Sequence, residues 1–145
     1  MNSETRKPGN EIEADQLTEQ VIGAAIRVHT ELGPGFLESI YEEALAVEFR
    51  LIGLRFERQK PVPIFYRAQP VGEHRVDLFV ENSLVVELKA TTALEKVHFA
   101  VLRSYLKALG VSHGLLLNFA GTRLTIKRVG REFHSRIVKE EEISF

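Results

Sequence analysis

The sequence predicts an α/β fold: a central mixed β-sheet flanked by helices, in the order α-α-β-β-β-α-β-β. Three observations predict it. Two stretches before residue 53 carry apolar residues at three- and four-residue spacing, the period of a half-buried helix. Between residues 55 and 89 the period drops to two, with prolines and turn residues as punctuation. A third helical stretch then separates these strands from a continuous apolar run, "GLLLNF", as expected of a strand covered on both faces.

In chain order, Asp15 is placed to cap a first helix bearing Leu17, Val21, Ala24, Ala25, Val28 and Leu32, which Gly33-Pro34 ends. The second helix runs from about Leu37 to Ile52, with Gly53 at its C-terminal end. "RFERQKPVPIFY" is extended, and its prolines suit an edge or bulged strand. "RAQPVGE" supplies a turn before the hairpin "HRVDLFVENSLVVELKA". In the third helix Leu94, Val97, Val101, Tyr105 and Ala108 form one stripe, stopped by Gly110. "RLTIKRV" alternates as the last predicted strand, and the acidic run Glu140 to Glu142 is assigned no structure.

The 145 residues, 44% apolar and 27% charged, suit one domain over 14–145, preceded by a polar, flexible tail over 1–13. With no cysteine there is no thiolate metal site, and no HxxxH spacing links the five histidines. The N-terminal residues lack the apolar core of a secretory signal, and no apolar run is long enough to cross a bilayer. The expectation is a cytoplasmic protein with no membrane partner. A net charge of −1 argues against wholesale coating of nucleic acid. The charge is uneven, however: −7 over residues 1–49, +4 over 50–107 and +2 over 108–145. The middle is the region suited to a polyanion.

The hairpin places three charges, Asp77, Glu87 and Lys89, in strands that otherwise read as core. Glu87 and Lys89 share a face because they are two residues apart. A two-residue loop at Asn82-Ser83 would put Asp77 on the opposite face, beside Leu88. A three-residue loop, Glu81-Asn82-Ser83, pairs 80 with 84, 78 with 86, 77 with 87 and 76 with 88. Val76, Leu78, Val80, Leu84, Val86 and Leu88 then form one apolar face, and Asp77 stands opposite Glu87 on the other. Facing carboxylates repel unless a cation lies between them. A divalent ion such as Mg²⁺, which accepts one or two carboxylates and retains waters, meets that need. An Asp–Lys–Glu ion-pair ladder on a solvated face accounts for the same three residues.

Asp77 followed by "Glu87-Leu88-Lys89" and a helix resembles the catalytic motif of the PD-(D/E)XK nuclease superfamily. "LGPGFLESIYEEAL" adds Gly35, Glu38 and Tyr41 in the spacing GxxExxY, and with "VDLFV", "VVELKA", "YLK" and "GLLLNF" it resembles the small proteins named after that motif. The resemblance runs from about Leu17 to Arg128. It implies a restriction-endonuclease-like core and a Mg²⁺- or Mn²⁺-dependent nuclease acting on DNA or RNA. The implied catalytic residues are Lys89, Glu87, Asp77 and Glu38, with Asp77, Glu87 and Glu38 as metal ligands. Tyr41, His98, Arg103 and Tyr105 are the candidate substrate contacts. Against these roles, Glu38 also suits the dipole of a helix N-terminus, and Tyr41 suits the core with one satisfied hydroxyl. The sequence departs from the pattern at Val101, where related nucleases often carry a glutamine four residues before the tyrosine. That departure keeps a second reading open: a binding module that retains the fold with a weakened site. A third is an interaction domain, such as a homodimer, built on an apolar patch of the first two helices.

Overall fold

The computed structural model describes residues 13–130 and the backbone of 140–144; the flexible tail expected over 1–13 lies, except for Glu13, outside the described residues. The order is α1 (Ala14–Leu32), α2 (Glu38–Leu51), β1 (Phe56–Tyr66), β2 (Gln69–Val80), β3 (Leu84–Lys89), α3 (Lys96–Leu109), β4 (His113–Asn118), β5 (Thr125–Gly130) and β6 (Glu140–Ser144). The six strands form one sheet in the order β1-β2-β3-β4-β5-β6. β3 and β4 are parallel, joined through α3, and every other neighbour is antiparallel. This is the expected α/β arrangement with one strand more. The acidic run forms β6, whose backbone register sets Glu142 opposite Lys127 and Glu141 opposite Arg128.

Helices cover both faces. α1 and α2 bury Leu17, Val21, Ala25, Leu45 and Phe49 against Leu78, Val86, Leu88 and Leu117. α3 buries Leu102, Tyr105 and Leu106 against Phe79, Val85, Leu116 and Val129 on the other face. β3 and β4, sandwiched by both layers, are almost wholly buried. Among the described residues, no helix is long and apolar enough to cross a membrane.

Several boundaries differ from the sequence reading. Glu13, not Asp15, is the N-cap of α1. "QPVGE" is not a turn: β2 already begins at Gln69, and Arg67 and Ala68 make the reversal in left-handed conformations. α3 begins at Lys96 with Glu95 as its cap, so Leu94 precedes it. That phase leaves Val97 57% exposed and puts Leu102 and Leu106 in the core instead. β1 is an edge strand, where Pro61 and Pro63 are tolerated because only β2 pairs with it.

The hairpin takes the three-residue loop. Val80 pairs with Leu84, Phe79 with Val85 and Leu78 with Val86. Glu81 and Asn82 both adopt left-handed backbone, φ 53° each. Asn tolerates that conformation; Glu81 is fixed there by Arg55, whose backbone N–H (2.7 Å) and guanidinium (2.9 Å) donate to its carboxylate. Two expectations fail beyond Leu78. The ladder stops, so 77–87 and 76–88 are not backbone pairs. The alternation of β2 also reverses: Val76 packs with the α3 layer, not beside Leu78. The cause lies in β1, where Gln59 takes φ 52° and the 59–77 pairing is skipped, a local irregularity that re-aims the strand.

Candidate active site

Where the β2–β3 ladder ends, two carboxylates replace it. The Asp77 N–H donates to Glu87 Oε2 (2.9 Å), and the Leu88 N–H donates to Asp77 Oδ2 (2.9 Å). Each strand thus supplies the acceptor for a backbone donor that the splayed neighbour left unpaired. Glu87 is 8% exposed and Asp77 half-buried. Burial, and after it the charge of Asp77, pushes the Glu87 carboxyl up to about 8. The Asp77 carboxyl is also raised, first by burial and further by the charge of Glu38, against hydrogen bonds from Leu88 and Gln59.

Lys89, half-buried at the end of β3, favours the ionised form of both carboxylates without a direct ion pair to either among the described residues. Glu38 is the first residue of α2, following Leu37 at the cap. The loop before it is closed by Tyr41, whose hydroxyl donates to Gly33 O (2.6 Å) and accepts the Phe36 N–H (3.2 Å). Gly35, at φ +109°, makes the bend that an L side chain would strain. The GxxExxY spacing is therefore a loop-and-helix start that sets the charge of Glu38 close enough to act on Asp77.

Tyr105 reaches the same place from α3. Its hydroxyl is 3.0 Å from His74 Nδ1, and burial followed by the charges of Glu87 and Asp77 pushes the phenol up to about 12. Glu38, Asp77, Glu87, Lys89 and Tyr105 are thus gathered at one end of the β2–β3 pair. The other proposed substrate contacts already have partners within the fold. Tyr41 is fully buried, its ring stacked on Phe119 at 4.4 Å, so its role is to hold the α1–α2 loop. His98 caps α3, its Nδ1 accepting the Glu95 N–H (2.9 Å). Arg103 is half-buried and already engaged in an interaction.

Sequence reasoning missed Gln59 and Glu42. The Gln59 amide donates to Asp77 Oδ1 (3.3 Å) and to Glu42 Oε1 (2.8 Å), and Arg58 donates to the other Glu42 oxygen (2.9 Å). A glutamine does reach the carboxylates, then, but from β1 and not from the α3 position occupied by Val101. The one available signal was polar: "ERQK" in a strand with apolar residues on both sides. Asn118 accepts the local Ala120 N–H at its strand end, but its other two bonds tie it to the backbone of Thr91, 27 residues earlier.

The donor chemistry fits a hard divalent cation. Two desolvated carboxylates, both with raised proton affinity, are relieved by a positive charge, and oxygen donors are what Mg²⁺ and Mn²⁺ take. Among the described residues no three His, Asp or Glu side chains converge as a ready-made cage. Asp77 and Glu87 would hold such an ion, with Glu38 near enough to act electrostatically or through water.

A mixed sheet between helices, with two acidic residues and a lysine at the splayed end of a central hairpin, defines a restriction-endonuclease-like α/β domain. The chain belongs to the PD-(D/E)XK nuclease superfamily, whose family model matches residues 15–129. That match spans both helices, the hairpin and β4–β5, so it covers every residue of the site. Superfamily members generally use divalent metals such as Mg²⁺ on nucleic-acid substrates. No curated protein and no solved structure gives a match.

Proposed function

We infer that this chain is a Mg²⁺- or Mn²⁺-dependent nuclease of the GxxExxY type, hydrolysing phosphodiester bonds in DNA or RNA. The observation that carries the reading is the reciprocal clamp of Asp77 and Glu87, with Lys89 two residues further along the same strand. The clamp fixes both carboxylates with little side-chain freedom, the preorganisation that a catalytic site needs. A bound divalent ion would supply Lewis acidity toward a phosphoryl oxygen and a more acidic water. Asp77 and Glu87 orient the ion-facing oxygens; Lys89 offsets negative charge building on the phosphate; Tyr105, protonated at neutral pH, keeps a donor beside the carboxylates. The +4 segment over residues 50–107 supports contact with the backbone of the substrate.

The test is incubation with linear DNA, circular DNA and RNA in Mg²⁺ or Mn²⁺, beside Glu87→Ala and Lys89→Ala. Metal-dependent cleavage lost in both variants, by about a hundredfold or more, is the expected result. Cleavage that persists in the variants means that another site or protein is responsible. Binding of nucleic acid with no cleavage under any of these conditions would favour a binding module on a nuclease fold.

A further inference from the structure

α2 carries a second apolar stripe that the core of the fold touches only at the partly buried Ala44. Its buried side faces the sheet through Tyr41, Leu45 and Phe49. On the far side Leu37, Ile40, Ala44, Val47 and Leu51 recur at spacings of three and four, the a/d rhythm of a helix that packs against another helix. Four of them are exposed: Leu37 by 76%, Ile40 by 43%, Val47 by 50% and Leu51 by 74%. Helical α-positions given to solvent usually carry charge, and a continuous apolar seam marks a contact surface.

We propose that this seam is the interface of a homodimer in which α2 packs antiparallel against α2 of a second copy. Charge decides both the partner and the direction. With Leu37, Ala44 and Leu51 as a positions and Ile40 and Val47 as d positions, the flanking g positions are Glu43 and Arg50. In an antiparallel pair, Ala44 layers with Val47 of the second copy and Ile40 with Leu51. The g positions then face each other, so Glu43 of each copy meets Arg50 of the other, twice by symmetry. A parallel pair would instead set Glu43 against Glu48 of the second copy, like against like. The two-fold axis falls beside Ala44, small enough for close helix approach. Glu43 is 66% exposed at its side chain and is held at the seam's edge by Arg58 (2.7 Å), which leaves it open to a second cation. A 14-residue helix is short for an interface, so the dimer is weak, with a dissociation constant on the order of 10 µM.

Sedimentation velocity of the full chain over the micromolar to millimolar range tests this. Wild type is expected to pass from monomer to dimer, and Val47→Glu to stay monomeric with a little-changed circular dichroism melt, since Val47 is half exposed and outside the core clusters. Glu43→Arg and Arg50→Glu are each expected to weaken association about tenfold or more, because each sets like charges opposite. Mixed together, these two variants regain opposite charges at both contacts and form a 1:1 heterodimer. A wild type that stays monomeric throughout overturns the proposal, as does a dimer indifferent to Val47→Glu, or a mixture of the two charge variants that does not associate.

Discussion

Each facing carboxylate gives one oxygen to the other strand's backbone, at 2.9 Å in both directions, which holds the pair together with Glu87 only 8% exposed. The consequence is a proton held by the fold. Because the Glu87 carboxyl is raised from 4.5 to about 8, the native state binds that proton more tightly than the unfolded chain does. Stability from this group is complete below about 4.5 and is lost as pH rises through about 8. Metal-free protein should therefore melt at progressively lower temperature between those values. Glu87→Gln, which is neutral at every pH, should flatten that slope; thermal melts in EDTA across the range check it, and an equally steep slope in the variant would sink the assignment. Tyr105 offers a second reading of the same environment. Tyr105→Phe removes the His74 hydrogen bond but keeps the ring, so urea titration should find a loss of about 0.5–1.5 kcal/mol, well below the cost of emptying a core site.

α3 packs tightly on the sheet at Gly114, where a Cβ would meet Leu102 Cδ1 at 3.0 Å and Leu106 Cδ2 at 3.2 Å. A larger residue must push the helix away, and Tyr105 sits between those two leucines in sequence. Gly114→Val is expected to destabilise by about 1–3 kcal/mol in urea and to lower nuclease activity further than stability alone explains, because Tyr105 moves with its helix. Activity that simply follows the folded fraction would contradict that coupling. The hairpin register was legible in the sequence from Leu78–Val86 to the turn, because hydrophobic alternation there selects the three-residue loop. The reversal at Val76 was not, since it comes from a left-handed Gln59 with no glycine or asparagine to announce it. In α3 the predicted stripe does bring Tyr105 into the core with Leu94 and Val101 packed against it, but not Val97, and Leu102 and Leu106 were hidden because they repeat just as regularly on the neighbouring stripe. β6 escaped notice because Glu140 to Glu142 show no apolar alternation, and their counterparts Lys127 and Arg128 are evident only from the register.

The site joins parts of the chain that are far apart in sequence: the start of α2, Gln59 of β1, the hairpin and α3 all meet at the open end of β2 and β3. A ligand that binds there links them, so its effect must register in global unfolding and not only in turnover. For a metal held by Asp77 and Glu87, binding to the native state alone adds RT ln(1 + [L]/Kd), about 2.7 kcal/mol at a hundredfold excess over Kd. In a chain of 145 residues each kcal/mol moves the melting temperature by about 2–4 °C. Mg²⁺ or Mn²⁺ should thus raise the melting temperature by roughly 5–10 °C at pH 8, where the carboxylates repel most, and by less at pH 5.5, where the proton on Glu87 competes for the same oxygens. Asp77→Asn and Glu87→Gln should each lose most of the shift, and Lys89→Ala should retain it because the lysine is not a ligand. Differential scanning fluorimetry with metal titrations separates these cases without any substrate. A shift of equal size in all four proteins would place the ion elsewhere on the surface, and a shift that grows as pH falls would remove the carboxylate pair from its coordination.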